Sequence, residues 1–322
     1  MYSIGAVLAE VAPEDWDALC GRAGVADVYY SRGFVAASAP LAGGEPVFLA
    51  GEGALLPLLI RGAPVDAVTP YGYGGPLVVE PGGDVPGAYA AWCRERGVLS
   101  TFAVFHPLLD VDTRGFRVSP LGGTIAWALD GDLEAGMHAH HRRQVRRARA
   151  AGLAAAATPA PGDLDAFVAV YEGTMERAGA SPFYFFGAAY WEALLREVPL
   201  VRVDVAGDDG LAASVLGMGR PPVLHYHLGG NTDAGRRAGA SQLALLGLAQ
   251  WGQEHGFATL HLGGGVGGRA DSLLEYKRRF APGGLVPSAI GKAVHDEPAY
   301  LAAAGAAAVD WDGFFPAYRE PR

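Results

Sequence analysis

Short runs of apolar and β-branched residues alternate with longer amphipathic runs along most of the 322-residue chain. Runs of the first kind favour strands, and runs of the second kind favour helices. This alternation predicts an α/β or α+β fold, in which helices cover the faces of a sheet. Hydrophobic residues make up 50% of the chain. A chain of this length is expected to form about two domains, each burying a core of its own.

The alternation of apolar and amphipathic runs predicts individual strands and helices. The strands that it predicts are Val47–Ile60, Thr101–Phe105, Thr124–Leu129, Leu200–Val205, Leu211–Gly217, Val223–Gly229 and Ala258–Leu262. The predicted helices are Pro86–Gly97, His138–Ala151, Asp163–Arg177, Gly187–Glu197, Ser241–His255 and the alanine-rich run Leu301–Val309. The order from His138 onward, helices followed by strands, one long helix and a further strand, is typical of a GNAT acyltransferase core.

Charge and cysteine content exclude several classes of protein. The formal net charge of −9 argues against a protein that coats nucleic acid over its whole surface, although a local basic patch is compatible with it. Cys20 and Cys93 form no C-x-x-C pattern, which favours a reducing cytoplasm. The aliphatic stretch Leu55–Ile60 is interrupted by Pro57 and is far shorter than the ~20 residues of a membrane span. We therefore expect a cytoplasmic protein without an export signal or membrane span.

A loop rich in glycine and tyrosine, Thr69–Leu77, is the first candidate binding segment. Glycines let a backbone approach a ligand closely, and the Tyr71 and Tyr73 hydroxyls can hydrogen-bond to it. The alternative is a tight turn filled by the two rings.

The segment His138–Arg149 contains five arginines, and at helical spacing Arg142, Arg146 and Arg149 share one face. Such a face suits a nucleotide pyrophosphate or an RNA backbone. The alternative is a solvated helix face.

Two segments further along the chain carry residues that could bind a ligand. Tyr171 and Arg177 lie on one predicted helix and could project into a cleft, although aromatic residues are more often part of a core. Arg236–Ser241 nearly matches the R-x-x-G-x-G/A motif that binds the pyrophosphate of acetyl-CoA, through Arg236 and Gly239. His225 and His227 have no third ligand at a suitable spacing, so no metal site is expected.

Lys277 follows a glycine-rich turn that lacks the phosphate-loop pattern, which excludes an NTPase. Because Leu273, Leu274, Tyr276 and Phe280 surround it in sequence, its ammonium could be held in a semi-apolar pocket and directed at an oxyanion. The alternative is a surface lysine whose stem lies along apolar neighbours.

Taken together, these segments resemble the FemXAB family of aminoacyl-tRNA-dependent peptidyltransferases. The resemblance rests on the basic segment His138–Gly152, the Y-x-x-T-M-x-R string from Tyr171, the Y-H-L-G-G-N-T strand end from Tyr226, the turn Gly263–Gly265 and the string Leu274–Phe280. It implies two GNAT-like domains in tandem, with a C-terminal segment that packs back on the first. The first domain would comprise residues 1–133 and 288–322, and the second residues 134–287.

The resemblance also implies a reaction. An aminoacyl group would pass from the 3′ ester of a charged tRNA to a small amine acceptor, either a peptidoglycan precursor or a peptide or natural-product intermediate. Aminoacyl-tRNA would be the co-substrate, and no separate cofactor is expected. Lys277 would stabilise charge at the reacting carbonyl, with Tyr226 and Tyr276 binding substrate beside it.

Contacts with tRNA phosphates would come from the arginine helix, from Arg177, and from Arg278 and Arg279. In the first domain, His106–Pro107 stands where several family members have Asp-Pro. His106 is therefore either the base or a buried structural histidine.

Two other functions fit the same sequence. One is an acyl-CoA-dependent N-acyltransferase that uses the turn at Gly239. The other is a non-catalytic GNAT-fold protein that binds its ligand through the tyrosine loop.

Overall fold

The computed structural model describes residues 7–320, which form two compact units. The first unit comprises the described residues up to Val25, Tyr29–Leu121, and the chain from Pro287 onward. The second comprises Ala26–Val28 and Gly122–Val286. Residues 122–133, which the sequence analysis assigned to the first domain, thus lie in the second unit, and the C-terminal segment lies in the first.

Strands and helices alternate along the chain. The strands are β1 Ala9–Glu10, β2 Gly44–Gly51, β3 Ala54–Arg61, β4 Asp66–Val68, β5 Leu77–Val78, β6 Ser100–Val104, β7 Arg117–Ala128, β8 Ala154–Pro159, β9 Leu200–Gly207, β10 Gly210–Arg220, β11 Val223–Asn231, β12 Thr259–Gly264 and β13 Leu285–Val294. The helices are α1 Pro13–Arg22, α2 Arg32–Ala42, α3 Val85–Glu95, α4 Leu133–Gly136, α5 Ala139–Ala150, α6 Asp165–Ala178, α7 Ala188–Glu197, α8 Asp233–Ala238, α9 Ala240–Glu254, α10 Ser272–Arg278 and α11 Glu297–Ala304.

In the first unit the sheet follows the order β1-β2-β3-β4-β6-β13, and β4 and β6 run parallel. The central strand β3 is apolar along nearly its whole length because both of its faces are covered. On one face Leu55 and Leu59 pack with Trp16, and on the other Leu56 and Leu58 belong to the cluster around Trp92. The C-terminal segment is tied to this sheet by a hydrogen bond between the Tyr318 and Ser100 hydroxyls (2.8 Å).

In the second unit the order is β7-β12-β11-β10-β9-β8. The long helix α9 packs against this sheet and is buried on most of its circumference, since eight of its residues are inaccessible to solvent. Leu243 and Leu246 of α9 belong to the same core cluster as Val203 of β9 and Val215 of β10. Because α9 has apolar residues on most sides, a second element has to pack against the side that faces away from the sheet, and this element is α5.

Two neighbouring parallel strands of the second unit separate partway along their length. β11 and β12 pair only from Val223 opposite Thr259 to His225 opposite His261. Beyond that point β11 continues alongside β10, and β12 continues alongside β7. Register shifts at Leu216/Gly217 and His261/Gly263 accompany the separation. Because a bulge bends its strand, these irregularities explain why the two strands diverge and open a wedge.

The structure corrects two of the predicted elements. The predicted strand Val47–Ile60 is a hairpin of β2 and β3, reversed at Gly51–Gly53, where all three residues have positive φ. The predicted helix Leu301–Val309 begins earlier and ends at Ala304, because Gly305 adopts the left-handed conformation. Within residues 7–320, no helix is both long and apolar enough to cross a bilayer.

Candidate active site

Lys277 lies beside the wedge where β11 and β12 separate. Its Nζ donates a hydrogen bond to the Gly264 carbonyl on β12 (2.7 Å) and lies 5.7 Å from the ring centroid of Tyr226, the first residue of β11 beyond the paired region. The residue is only 8% exposed. Burial lowers the pKa of Lys277 to about 8, although the carboxylate of Asp271 acts in the opposite direction. The lysine is therefore a desolvated cation rather than a surface charge.

The Tyr226 ring faces this ammonium, and Tyr276 precedes Lys277 in the chain. The Tyr276 hydroxyl is buried and has no hydrogen-bond partner among the described residues, and the Tyr226 hydroxyl likewise bonds to none of them. Burial raises the pKa of Tyr226 to about 12 and also raises the pKa of Tyr276, so both remain protonated donors at neutral pH. Since Gly264 takes one of the three N–H groups of Lys277, the site retains donors for a bound oxygen atom.

The turn that precedes α10 places the lysine. Asp271 caps the helix by accepting a hydrogen bond from the Leu274 amide (2.9 Å), and its second oxygen accepts one from the Val266 amide (2.9 Å). Gly265 must be glycine here, because a Cβ atom would lie 2.1 Å from the Arg269 carbonyl oxygen. The close turn therefore depends on this residue type.

His141 anchors α10 from the neighbouring helix α5, a role that the sequence analysis did not assign. Its Nε2–H donates to the Tyr276 carbonyl (2.9 Å), and its ring lies 4.4 Å from that of Phe280. Burial lowers the pKa of His141 to about 4, which keeps the ring neutral. His141 is thus a positioning residue for the segment that carries Lys277.

Four of the five arginines predicted to contact phosphate already bind protein groups. Arg142 donates to the carbonyls of Ala135 and Met137, and Arg149 pairs with Glu134 (2.7 Å). Arg278 and Arg279 both pair with Glu275, at 2.9 and 3.4 Å. Arg142 and Arg149 are directed toward α4 because that short helix lies beside their face of α5. Of these five, only Arg146 has no such partner among the described residues, so phosphate contact by the other four would have to compete with a protein group.

A different set of arginines is open to solvent. Arg143, Arg146 and Arg147 of α5 and Arg237 of α8 are exposed, and none of them has a hydrogen-bond or ion-pair partner within residues 7–320. Helices α5 and α8 are in contact, so these side chains lie in one region of the second unit. We call these four residues the open arginine cluster. Their i, i+3 and i+4 spacing on α5 was visible in the sequence, but the competing partners of the other face were not.

The turn at Gly239, which would bind the pyrophosphate of acyl-CoA, is covered by α5. Gly239 has a φ of +88°, and a Cβ atom there would lie 2.5 Å from the Gln144 carbonyl oxygen. Gly239 and Ala240 are both buried, whereas Arg236 is exposed and lies 3.7 Å from Asp233. The first turn of α9 thus faces protein in this structure.

Tyr171 and Arg177 do not form the cleft that the sequence suggested. Tyr171 is 1% exposed, and its hydroxyl donates to the Tyr184 carbonyl (2.8 Å), so it belongs to an aromatic core. Arg177 donates to Thr174 Oγ1 (3.0 Å) and to the Asn231 carbonyl, which ties α6 to the end of β11.

In the first unit, Tyr73 and His106 form a ring cluster with Tyr29. The ring centroids of Tyr73 and His106 both lie within 6 Å of Tyr29, at 5.2 and 5.8 Å. His106 is 2% exposed, and its Nδ1 accepts a hydrogen bond from the Leu108 amide (3.2 Å). The Leu108 amide thus orients the ring, and whether His106 acts as a base or has a structural role stays a prediction. Tyr71 is half-buried in the adjacent loop.

Sequence reasoning also missed a buried polar chain in the second unit. Asp27 Oδ2 lies 2.9 Å from His225 Nε2, and His225 Nδ1 lies 3.2 Å from His261 Nδ1. Asp27 and His225 are 198 positions apart, so no local pattern could have joined them. The chain fixes β11 and β12 at the last pair before they separate.

Comparison with known proteins identifies the fold. Residues 136–278 match a family described as acetyltransferase (GNAT) domain. FemX superposes with a TM-score of 0.63 at 13% identity, covering 92% of this chain and 99% of that one. L-PGS from Bacillus licheniformis gives 0.55 at 16% identity, covering 91% and 94%.

A tandem GNAT protein from the clavulanic acid biosynthesis pathway gives a TM-score of 0.54 at 12% identity, covering 89% of this chain and 98% of that one. No curated protein sequence matches the chain. At such identities the structural likeness concerns the fold, and the predicted α/β fold with tandem GNAT-like domains is confirmed.

Proposed function

Taking the GNAT acyltransferase fold as the starting point, we propose that this chain transfers an aminoacyl group from aminoacyl-tRNA to a small amine acceptor. One observation carries the proposal: a desolvated lysine ammonium lies against the Tyr226 ring and the Gly264 carbonyl where β11 and β12 separate, and it keeps N–H donors that no described residue uses. Similarity in fold to FemX and L-PGS is consistent with this reading.

The chemistry needs little more than positioning and charge stabilisation. The acceptor amine attacks the ester carbonyl, the carbonyl oxygen becomes an oxyanion, and the C–O bond to the tRNA ribose breaks as the amide forms. The amine loses a proton, and the ribose 3′-oxygen gains one. Because the ester is activated, no covalent enzyme intermediate is required.

Lys277 would stabilise the oxyanion of this reaction. With a pKa of about 8, it is mainly cationic at neutral pH, and burial strengthens its interaction with a developing negative charge. Removing one donor to an oxyanion costs roughly 10²- to 10³-fold in turnover.

The open arginine cluster supplies the second requirement, contact with phosphate. Its four guanidinium groups have no partner among the described residues, and uncompensated guanidinium groups favour phosphate ligands. In an acidic protein, such a local cluster would restrict tRNA contact to one region.

Acyl-CoA-dependent N-acyltransfer is the alternative, favoured by the match of residues 136–278 to the acetyltransferase (GNAT) family. The covered turn at Gly239 counts against it, since Gly239 and Ala240 are buried and a Cβ atom at Gly239 would lie 2.5 Å from the Gln144 carbonyl oxygen. The non-catalytic reading predicts that Lys277 binds an anionic ligand without turnover, which the experiment below separates from catalysis.

The decisive experiment compares the two donors directly. Purified protein is incubated with a panel of amines and either labelled aminoacyl-tRNA or labelled acetyl-CoA, and amide product is measured. We expect product from aminoacyl-tRNA only, and a loss of at least about 10²-fold in Lys277→Met. Ser272→Ala, an exposed change on the same helix, is the matched control.

Product from acetyl-CoA alone would establish the alternative. Equal turnover by wild type and Lys277→Met would remove the lysine from the mechanism. Melting temperatures of both variants check that the fold is retained.

A further inference from the structure

We propose that the first unit binds a small monocarboxylate with an apolar body, in a cavity between α3, the end of β13 and residues 114–116. The cavity contains none of the residues assigned to acyl transfer, so it constitutes a separate binding site and does not depend on the proposed function.

Size and lining define the first property of the ligand. The cavity holds about 130 Å³, slightly less than the ~150 Å³ of an engineered protein cavity that binds benzene. Its apolar walls come from Val85, Pro86 and Ala90 of α3, and from Phe116 and Val294. Such a space suits a branched aliphatic group or a single ring.

His295, which is held by a buried chain of hydroxyl groups, provides a polar group at one end of the cavity. Tyr89, which is 3% exposed, lies with its hydroxyl 2.8 Å from Thr101 Oγ1, and Thr101 Oγ1 lies 2.8 Å from His295 Nε2. His295 lines the cavity, and its Nδ1 bonds to no described residue. Burial, followed by the charge of Arg94, lowers the pKa of His295 to about 4, so the ring is neutral. The histidine can therefore donate one hydrogen bond without adding a second charge.

Two arginines line the cavity, and they differ in whether a described carboxylate binds them. Arg114 is neutralised by Asp112, which it contacts through Nε and Nη2 at 2.9 and 2.7 Å. Arg94 lines the same cavity and has no hydrogen-bond or ion-pair partner within the part of the chain described. Arg94 is exposed, and its planar guanidinium can pair with a carboxylate through two parallel hydrogen bonds.

Binding of isobutyrate and benzoate to the full-length protein tests the proposal, measured by saturation-transfer NMR and calorimetry without any acyl donor. We expect about millimolar affinity, as suits ligands of this size, and at least roughly tenfold weaker binding of the uncharged isobutyramide. Arg94→Gln should weaken isobutyrate roughly tenfold or more, and Ala90→Leu should fill the cavity and abolish binding.

Arg96→Gln is the control, because it makes the same charge change two positions away at an exposed residue that pairs with Glu10 outside the cavity. Equal affinity in Arg94→Gln and Arg96→Gln, or no saturable binding of either acid by wild type, would overturn the proposal. Because no tRNA or amine enters the assay, its outcome is independent of the acyltransferase assay.

Discussion

At the scale of single residues, burial of the Lys277 ammonium carries a free-energy cost that has to be explained. Among residues 7–320, the Lys277 ammonium has one hydrogen-bond acceptor, the Gly264 carbonyl, and one aromatic face, that of Tyr226. A folded protein accepts such a cost where the charge has a use, and perturbed lysines cluster at functional sites. Lys292, the other lysine of the chain, is also buried but donates to two carbonyls, those of Trp311 and Gly313. Lys292 therefore holds the C-terminal segment in place, whereas Lys277 retains unused donors.

The pKa of Lys277 can be measured directly because the chain contains two lysines. In protein labelled with ¹³C at lysine Cε, one resonance should titrate near pH 8 and disappear in Lys277→Met. Turnover should fall as pH rises through that value, since the oxyanion needs the cationic form. Titration of the resonance assigned to Lys277 only above about pH 10 would contradict the buried environment.

Three buried histidines, His141, His227 and His295, predict acid sensitivity of the fold, and burial lowers the pKa of His295 to about 4. Burial lowers the pKa of His141 to about 4 and that of His227 to about 3. Between these values and the ordinary pKa of 6.5, the unfolded chain binds protons that the folded chain does not, so stability falls as pH falls below 6.5.

Each of these histidines should cost about 2 kcal/mol of unfolding free energy between pH 7.5 and 5, measured by urea denaturation. The loss should be smaller in His141→Gln and unchanged in the control His255→Gln, which alters an exposed ring. An identical pH dependence in wild type and His141→Gln would show that His141 is not held neutral.

At the scale of elements, the arrangement of α5, α8, α9 and α10 determines which side chains face solvent. α5 lies against α9, holds α10 through His141, and covers the turn at Gly239. In this position of α5, Arg142 and Arg149 bind groups of α4, whereas Arg143 and Arg147 are exposed to solvent.

Gly239→Ala tests this junction. A left-handed φ and a contact of 2.5 Å with the Gln144 carbonyl both oppose a side chain, so we expect a loss of about 2 kcal/mol or more of unfolding free energy. Gly187→Ala is the control, because a Cβ atom there meets nothing within 4 Å and φ is −71°. Its cost should stay within about 0.5 kcal/mol. Equal stability of the two variants would show that α5 does not cover the turn.

At the scale of the whole molecule, the net charge of the chain is negative, whereas the open arginine cluster is a local region of positive charge. The chain carries a net charge of −9, yet four exposed arginines without described partners lie on α5 and α8. The negatively charged protein repels tRNA at long range, so binding of tRNA depends on short-range contacts between its phosphates and these arginines.

Binding of tRNA should accordingly weaken steeply with salt. Each phosphate contact contributes about −0.7 to −0.9 to the slope of log K against log salt, so a triple Arg143→Gln, Arg146→Gln, Arg147→Gln variant should reduce that slope by about 2 to 3. A variant with Arg96, Arg196 and Arg220 changed to Gln alters net charge equally and should retain the slope. Fluorescence titration of labelled tRNA at several salt concentrations measures the slope for the wild type and for each variant. The same slope in the wild type and in both variants would exclude α5 from the interface.

The sequence alone determined the α/β fold, most of its strands and helices, and the segment that contains Lys277. These features follow from local periodicity and from short strings of residues, which a linear chain displays directly. The helix ending at Ala304 and the hairpin within Val47–Ile60 were misjudged, because single glycine conformations decide where such elements stop or reverse.

Only the tertiary structure decided which arginines remain available, that His141 supports α10, and that Asp27 meets His225. These outcomes depend on which groups compete for each side chain after distant segments pack together. A hydrogen bond is satisfied by the nearest suitable partner in space, and sequence spacing within one helix cannot reveal a partner that another element provides.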